Sequence, residues 1–204
     1  MIFFSPVQLL KKFGTPEALR AALDKLKQDA MAAGLEGVTV AACTPPWPGG
    51  GWQNLNELAS AGFDVFTGYN YPPRGVQELE KQQPFTKMIA AHQRIWDQFS
   101  QKSPIPYIPT VTSGWDKRPW EKSDLPLEKQ AVYYPDRSPQ AVGEFVTDAI
   151  QWVEQHPQNT VKEHIVMVYA WNENGEGGYL TPTKSEGDAY LQAVASAIHQ
   201  TASN

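Results

Sequence analysis

A chain of 204 residues, 41% of them hydrophobic, with a formal net charge of −5, buries a sizeable core and is too apolar to stay disordered. Its 17 basic residues form no block, which argues against nucleic acid as a partner, and no run reaches the roughly 18 apolar residues of a membrane helix. The single cysteine, Cys43, excludes an internal disulfide framework and a cysteine-built zinc cluster.

Read in chain order, the pattern is strand, loop, helix, repeated. Residues 2–5 read as a buried strand or else a plain edge strand, and the basic segment and apolar stretch of a secretory signal are missing. Thr15-Pro16-Glu17 opens a helix, with Thr15 as cap and Pro16 in the first turn. Leu19, Leu23, Leu26 and Ala30 follow at helical spacing, and Gly34 stands where the helix should end. Residues 38–43 form a continuous apolar run, the signature of a parallel strand covered on both faces. A proline- and glycine-rich loop with Trp47 and Trp52 comes next, and its Gly49-Gly50-Gly51 opens no long helix that would make it a phosphate cradle. A short helix over 54–61, a strand over 63–69 and a long helix over 85–99 follow. A fourth strand is predicted over 106–112, a loop over 124–136, and a helix from Ser138-Pro139 to about 156. A fifth strand over 165–170 and a closing helix over 185–201 complete the pass.

Five strand–helix units in succession predict a parallel sheet with right-handed crossovers, in one domain spanning 1–204. At about 40 residues per unit, eight units would need about 320 residues, so the chain reads as the C-terminal five units of a (β/α)8 TIM-type barrel. The loops after the strands are long, aromatic and polar, the side on which such folds build their sites.

The sharpest constellation is Trp171-Asn172-Glu173-Asn174-Gly175-Glu176-Gly177-Gly178-Tyr179. Two carboxylates stand three residues apart directly after a strand, flanked by aromatic rings, on a glycine-rich turn. Glycoside cleavage needs such a pair, one group to protonate the leaving oxygen and one to act as base or nucleophile. The alternative is structural, with Glu173 capping the turn and Glu176 solvated. A second constellation holds Trp115, Asp116, Arg118 and Trp120. Its rings and polar groups suit a sugar, or else Asp116 and Arg118 pair with each other over packed tryptophans. A third holds Tyr69, Asn70 and Tyr71 at a strand end. His92, His156, His164 and His199 have no metal-ligand spacing, no cofactor motif is present, and Cys43 reads as core.

These motifs carry a resemblance. AWNENGEGGYL, preceded by PTVTSGWDKRP and GFDVFTGYNYP, resembles the glycoside hydrolase family 99-like group, which includes endo-α-mannosidases and WbsX-type proteins associated with bacterial polysaccharides. The resemblance implies a (β/α)8 barrel, an oligosaccharide or polysaccharide substrate, and retaining hydrolysis. It makes Glu173 the base toward the sugar 2-OH and Glu176 the acid/base. The residues themselves, apart from the resemblance, offer Trp115, Asp116, Arg118, Tyr69, Asn70, Tyr71, Trp171, Asn172 and Tyr179 as substrate contacts. Asn174 and Gly175 stand where the endo-mannosidases have Trp and His, which brings the chain closer to the WbsX-type relatives. Other readings are a glycan-binding or polysaccharide-assembly component and an inactive fragment. An oligomer, or a separate N-terminal half, would complete the barrel. Neither signal peptide nor membrane segment is read from the sequence, and the compartment is left open.

Overall fold

The computed structural model describes residues 1–45, 52–71, 80–121, 124–126 and 129–201; Trp47, Gly49-Gly50-Gly51 and the Pro72-Pro73 loop lie outside them. The chain divides into two compact units. One joins Met1–Tyr69 to Ile95–Pro109 and His156–Glu163, and the other joins Asn70–Arg94 to Thr110–Gln155 and His164–Asn204.

The first unit is built on four parallel strands, β1 (Ile2–Phe3), β2 (Ala41–Cys43), β3 (Val65–Thr67) and β4 (Tyr107–Ile108), adjacent in that order. Strands β2, β3 and β4 are buried along their whole length, as the continuous apolar runs require of strands covered on both faces, whereas β1, expected as a buried strand over 2–5, is a half-buried strand at the end of the described sheet. Between β1 and β2 come α1 (Pro6–Phe13) and α2 (Pro16–Ala32), and between β2 and β3 comes α3 (Leu55–Ser60). Thr15 caps α2 by accepting from the Ala18 N–H at 3.2 Å, as its position before Pro16 predicts. The first helix is absent from the sequence reading because Ser5-Pro6 looks like an interruption, yet proline at a first helical position initiates a turn. Arg20 of α2 closes the C-terminus of α3 by donating to the Ser60 and Ala59 carbonyls at 2.7 and 3.3 Å. Asp64 ties α2 to β2, pairing with Lys27 at 2.6 Å and accepting from the Val40 N–H at 2.8 Å. Trp52 packs edge-on against Phe99, 4.9 Å between centroids, and Phe99 stacks on Tyr107 at 4.1 Å.

The helix α4 (Phe85–Lys102) gives its second half to this unit and its first half to the other. The second unit adds β5 (Thr110–Thr112), α5 (Pro139–Gln155), β6 (Met167–Tyr169), the antiparallel pair β7 (Asn172–Glu173) and β8 (Gly178–Tyr179), and α6 (Ala189–Thr201). Strands β5 and β6 are parallel, with Thr112 opposite Tyr169. The single strand predicted over 106–112 is two, parted at Pro109, which has no N–H to give a ladder. The closing helix starts at Ala189 rather than 185 because Thr183 and Gly187 exchange both backbone hydrogen bonds at 3.1 and 3.0 Å. Helices α5 and α6 pack together where Gly143 lets the Ala193 backbone approach. His92 lies in this unit's core between the Tyr71 and Phe145 rings.

The fold is thus α/β with parallel sheets. Among the described residues the parallel strands form one four-stranded and one two-stranded sheet, and no closed barrel is found. No helix among them is long and apolar enough to cross a membrane.

Candidate functional site

The paired glutamates lie just past β6 in the second unit. The segment read as a loop is a small hairpin: β7, a 3-10 turn over 174–176, and β8. Its return depends on Gly177, whose φ of +71° is a left-handed conformation that side chains resist. The hairpin is pressed against the loop that follows β5. The Asp116 N–H donates to the Glu176 carbonyl at 2.6 Å, and a Cβ on Gly114 would overlap the Gly177 carbonyl oxygen. The exposed Trp120 indole lies over Gly175, where a side chain would collide with it.

Arg137, just before α5, fastens this arrangement. Its guanidinium donates to the Gly177, Ser113 and Tyr179 carbonyls at 2.7, 3.3 and 3.4 Å and to the Tyr190 hydroxyl at 3.0 Å. It sits 4.0 Å from the centroids of both the Tyr179 and Tyr190 rings. A planar fork with two stacking faces suits that position, and lysine has neither. Burial pushes the Tyr179 phenol above its ordinary range, the Arg137 charge pulls it back, and the hydrogen bond it donates to Glu186 at 3.1 Å raises it further.

The two carboxylates differ in setting. The Glu173 side chain makes no capping hydrogen bond to the turn that it precedes. The Glu176 side chain is only 15% exposed, with Lys117 Nζ 3.6 Å from Oε1 and the Tyr169 hydroxyl donating to Oε2. The structural alternative, Glu173 as cap and Glu176 in solvent, does not describe this turn.

The remaining candidates are distributed as follows. Asp116 is paired with Arg118 through a bidentate contact at 2.9 and 2.6 Å. Burial pushes the Asp116 carboxyl up, but the Arg118 hydrogen bonds and charge outweigh it and hold it below the usual carboxylate range. The Arg118 guanidinium lies 3.6 Å from the Tyr133 ring centroid. Trp115 is buried, its ring 6.3 Å from that of Tyr169, with the Lys117 ammonium 5.4 Å from its centroid. Trp171 is 58% exposed, and Asn172 is exposed beside it. A cavity of about 280 Å³ opens beside the hairpin, lined by Trp115, Asp116, Arg137, Asn174, Tyr179 and Glu186 among others, near the lower end of ligand pockets of roughly 300–1,000 Å³. Tyr71 is buried against His92, and Asn70 is partly exposed. Tyr69 belongs to the first unit, 43% exposed and edge-on to Phe4 at 5.5 Å. Cys43 is buried, which pushes its thiol up to about 11 and leaves it a poor nucleophile. Among the described residues no group of three or more His, Cys, Asp or Glu side chains is arranged to hold a metal ion.

The sequence matches the family described as "Glycosyltransferase WbsX" over residues 16–194. The chain belongs to the WbsX family. No curated protein sequence matches this WbsX-family chain at a significant level. Among solved structures it is similar to a GH99 endo-alpha-mannosidase from Bacteroides thetaiotaomicron, determined in complex with bis-tris-propane, at 16% identity and a TM-score of 0.46. That likeness covers 79% of this chain and 46% of the mannosidase chain, so the WbsX-family chain spans about half of it.

Tyr169, Lys117, Arg137 and Tyr190 contact the hairpin or one another in the structure and are not among the sequence candidates. Tyr169 sits in a strand, where a buried tyrosine reads as core. Lys117 lies within SGWDKRPW, where only folding brings its ammonium to Glu176. Arg137 and Tyr190 reach the hairpin only through folding, and no local pattern marks them.

Proposed function

We propose that this WbsX-family chain acts on a glycan, cleaving or transferring a glycosidic bond with retention through Glu173 and Glu176. The observation that carries the reading is the Glu176 carboxyl held by Tyr169 and Lys117 on a hairpin that also bears Glu173. In this reading Glu173 takes the proton from the sugar 2-OH and the freed oxygen attacks the anomeric carbon. The bond from that carbon to the leaving oxygen breaks, and Glu176 gives the leaving oxygen its proton. Glu176 then takes a proton from the incoming hydroxyl as that oxygen attacks the anomeric carbon; the bond from that carbon to the 2-oxygen breaks, and Glu173 returns its proton to the 2-oxygen. Water at that step gives hydrolysis, and a sugar hydroxyl gives transfer. Trp171, Asn172, Trp115, Tyr179, the Asp116–Arg118 pair, Tyr69, Asn70 and Tyr71 are proposed to contact or shape the substrate, an α-mannoside or another polysaccharide. The chain is proposed to be a single catalytic-type domain, about five units of a (β/α)8 barrel that another chain or segment completes.

Glu173→Gln and Glu176→Gln test this. Each should lower turnover of an α-mannosyl oligosaccharide by at least about a hundredfold with the thermal midpoint little changed, read by mass spectrometry of products. Full activity in both variants, on a substrate that the parent cleaves, sinks the reading. The family's description as a glycosyltransferase favours a second reading, a role in polysaccharide assembly. Binding without any product would support it, and an elongated acceptor would identify transfer.

A further inference from the structure

Glu176 has a neighbour whose placement does more than fill space. Tyr169 ends β6 and is buried, and its backbone carbonyl accepts from the Ser113 N–H at 2.6 Å. Its ring is confined on one side by Gly178, where a Cβ would stand 2.5 Å from Cε1, and faces Trp115 at 6.3 Å. A buried tyrosine directs its hydroxyl to a partner, and here the O–H is spent on Glu176 Oε2.

We propose that Tyr169 is the positioning residue for Glu176: its hydroxyl aims the carboxyl, with Lys117 as the second partner. The catalytic part of this rests on Glu176 serving as acid/base in glycoside chemistry. Lys117 Nζ is 3.6 Å from Oε1. Asp116 is engaged by Arg118. Arg137 is committed to the Gly177 carbonyl and two rings. Glu173 precedes Glu176 by three residues on the same hairpin. An O–H donated to a carboxylate favours its charged form. Deleting that donor frees the carboxyl to turn away from the position in which Tyr169 holds it.

The test is Tyr169→Phe, which keeps the ring in its slot and removes only the hydroxyl. With the glutamate carboxyls labelled with ¹³C, the parent-minus-variant infrared difference should contain a carboxylate band pair, and that pair should vanish in a Glu176→Gln background. With an α-mannosyl oligosaccharide as probe, kcat should fall at least about tenfold with KM little changed. Lys117→Met should lower kcat in the same way by less. No band pair, or one that persists without Glu176, overturns the proposal; so does an unchanged kcat. Should Tyr169→Phe fail to fold, the same two measurements on Lys117→Met, whose side chain is partly exposed, decide it. A parent that turns over none of the probe counts against the glycoside reading, while the infrared result still decides whether Tyr169 controls Glu176.

Discussion

His92 has no part in the proposed chemistry, and its burial makes it a reporter of the fold. Burial lowers its proton affinity, against a raising contribution from the Met88 carbonyl, from 6.5 to about 4. Nδ1 lies 2.9 Å from the Met88 carbonyl oxygen, so the proton is on Nδ1 and Nε2 accepts from the Thr112 hydroxyl at 2.8 Å. Because the folded value lies below the unfolded one, the unfolded chain takes up a proton that the native chain does not as pH falls below 6.5. Stability from this group is therefore full above 6.5, declines as pH falls toward 4, and is lost below that. The difference corresponds to about 3 kcal/mol. Denaturant midpoints measured from pH 7 to pH 4 should fall in the parent and flatten in His92→Gln, after that variant's fixed loss of packing. Equal slopes in the two proteins would mean that His92 is not the group being charged. The sequence marks His92 only as a histidine on a helix without ligand spacing. Its neutrality follows from Tyr71, Phe145 and Thr112, which come from three other parts of the chain.

At the scale of elements, legibility tracks how local the cause is. The caps at Thr15 and Ser138, the break at Gly34 and the apolar run into β2 are settled by neighbours within a few residues, and the structure has them where the spacing puts them. The hairpin bearing the glutamates is different. WNENGEGGYL has the composition of a loop, and its short strands exist because the loop after β5 and Arg137 hold them there. Its glycines are accordingly set by close approach as much as by backbone freedom. Gly114→Ala must displace the Gly177 carbonyl, a backbone atom that cannot rotate away, whereas a Cβ on Gly37 meets nothing within 4 Å at an ordinary φ. Gly114→Ala should cost at least about 2 kcal/mol and lower any glycan turnover with it, while Gly37→Ala should stay within about 1 kcal/mol of the parent in either direction. Chemical denaturation of the two variants side by side measures the contrast. Equal midpoints would show that the hairpin and the β5 loop are not held in this register.

At the scale of the whole molecule, the strand–helix order was readable because parallel strands covered on both faces leave continuous apolar runs. Closure of the sheet was not, since it depends on strands far apart in sequence. The second unit shows what an unclosed parallel pair leaves behind. Strand β6 hydrogen-bonds to β5 on one side and, among the described residues, to no strand on the other. Beside it Val146, Ile150, Val166, Val168, Val194 and Ile198 line a groove of about 490 Å³. Ile198 is exposed there. Apolar area of this kind is costly in water at about 25 cal/mol per Å², and an unpaired strand edge beside it invites association. The expected consequence is strong fluorescence of an apolar dye with the folded chain at neutral pH. Ile198→Lys places a charge on the exposed rim without touching the buried face of α6, so dye fluorescence should fall by about half or more while the thermal midpoint holds. Unchanged fluorescence would locate the exposed apolar surface elsewhere. Loss of dye binding, together with a rise in the concentration at which the chain begins to self-associate, would tie both properties to the open edge of β6.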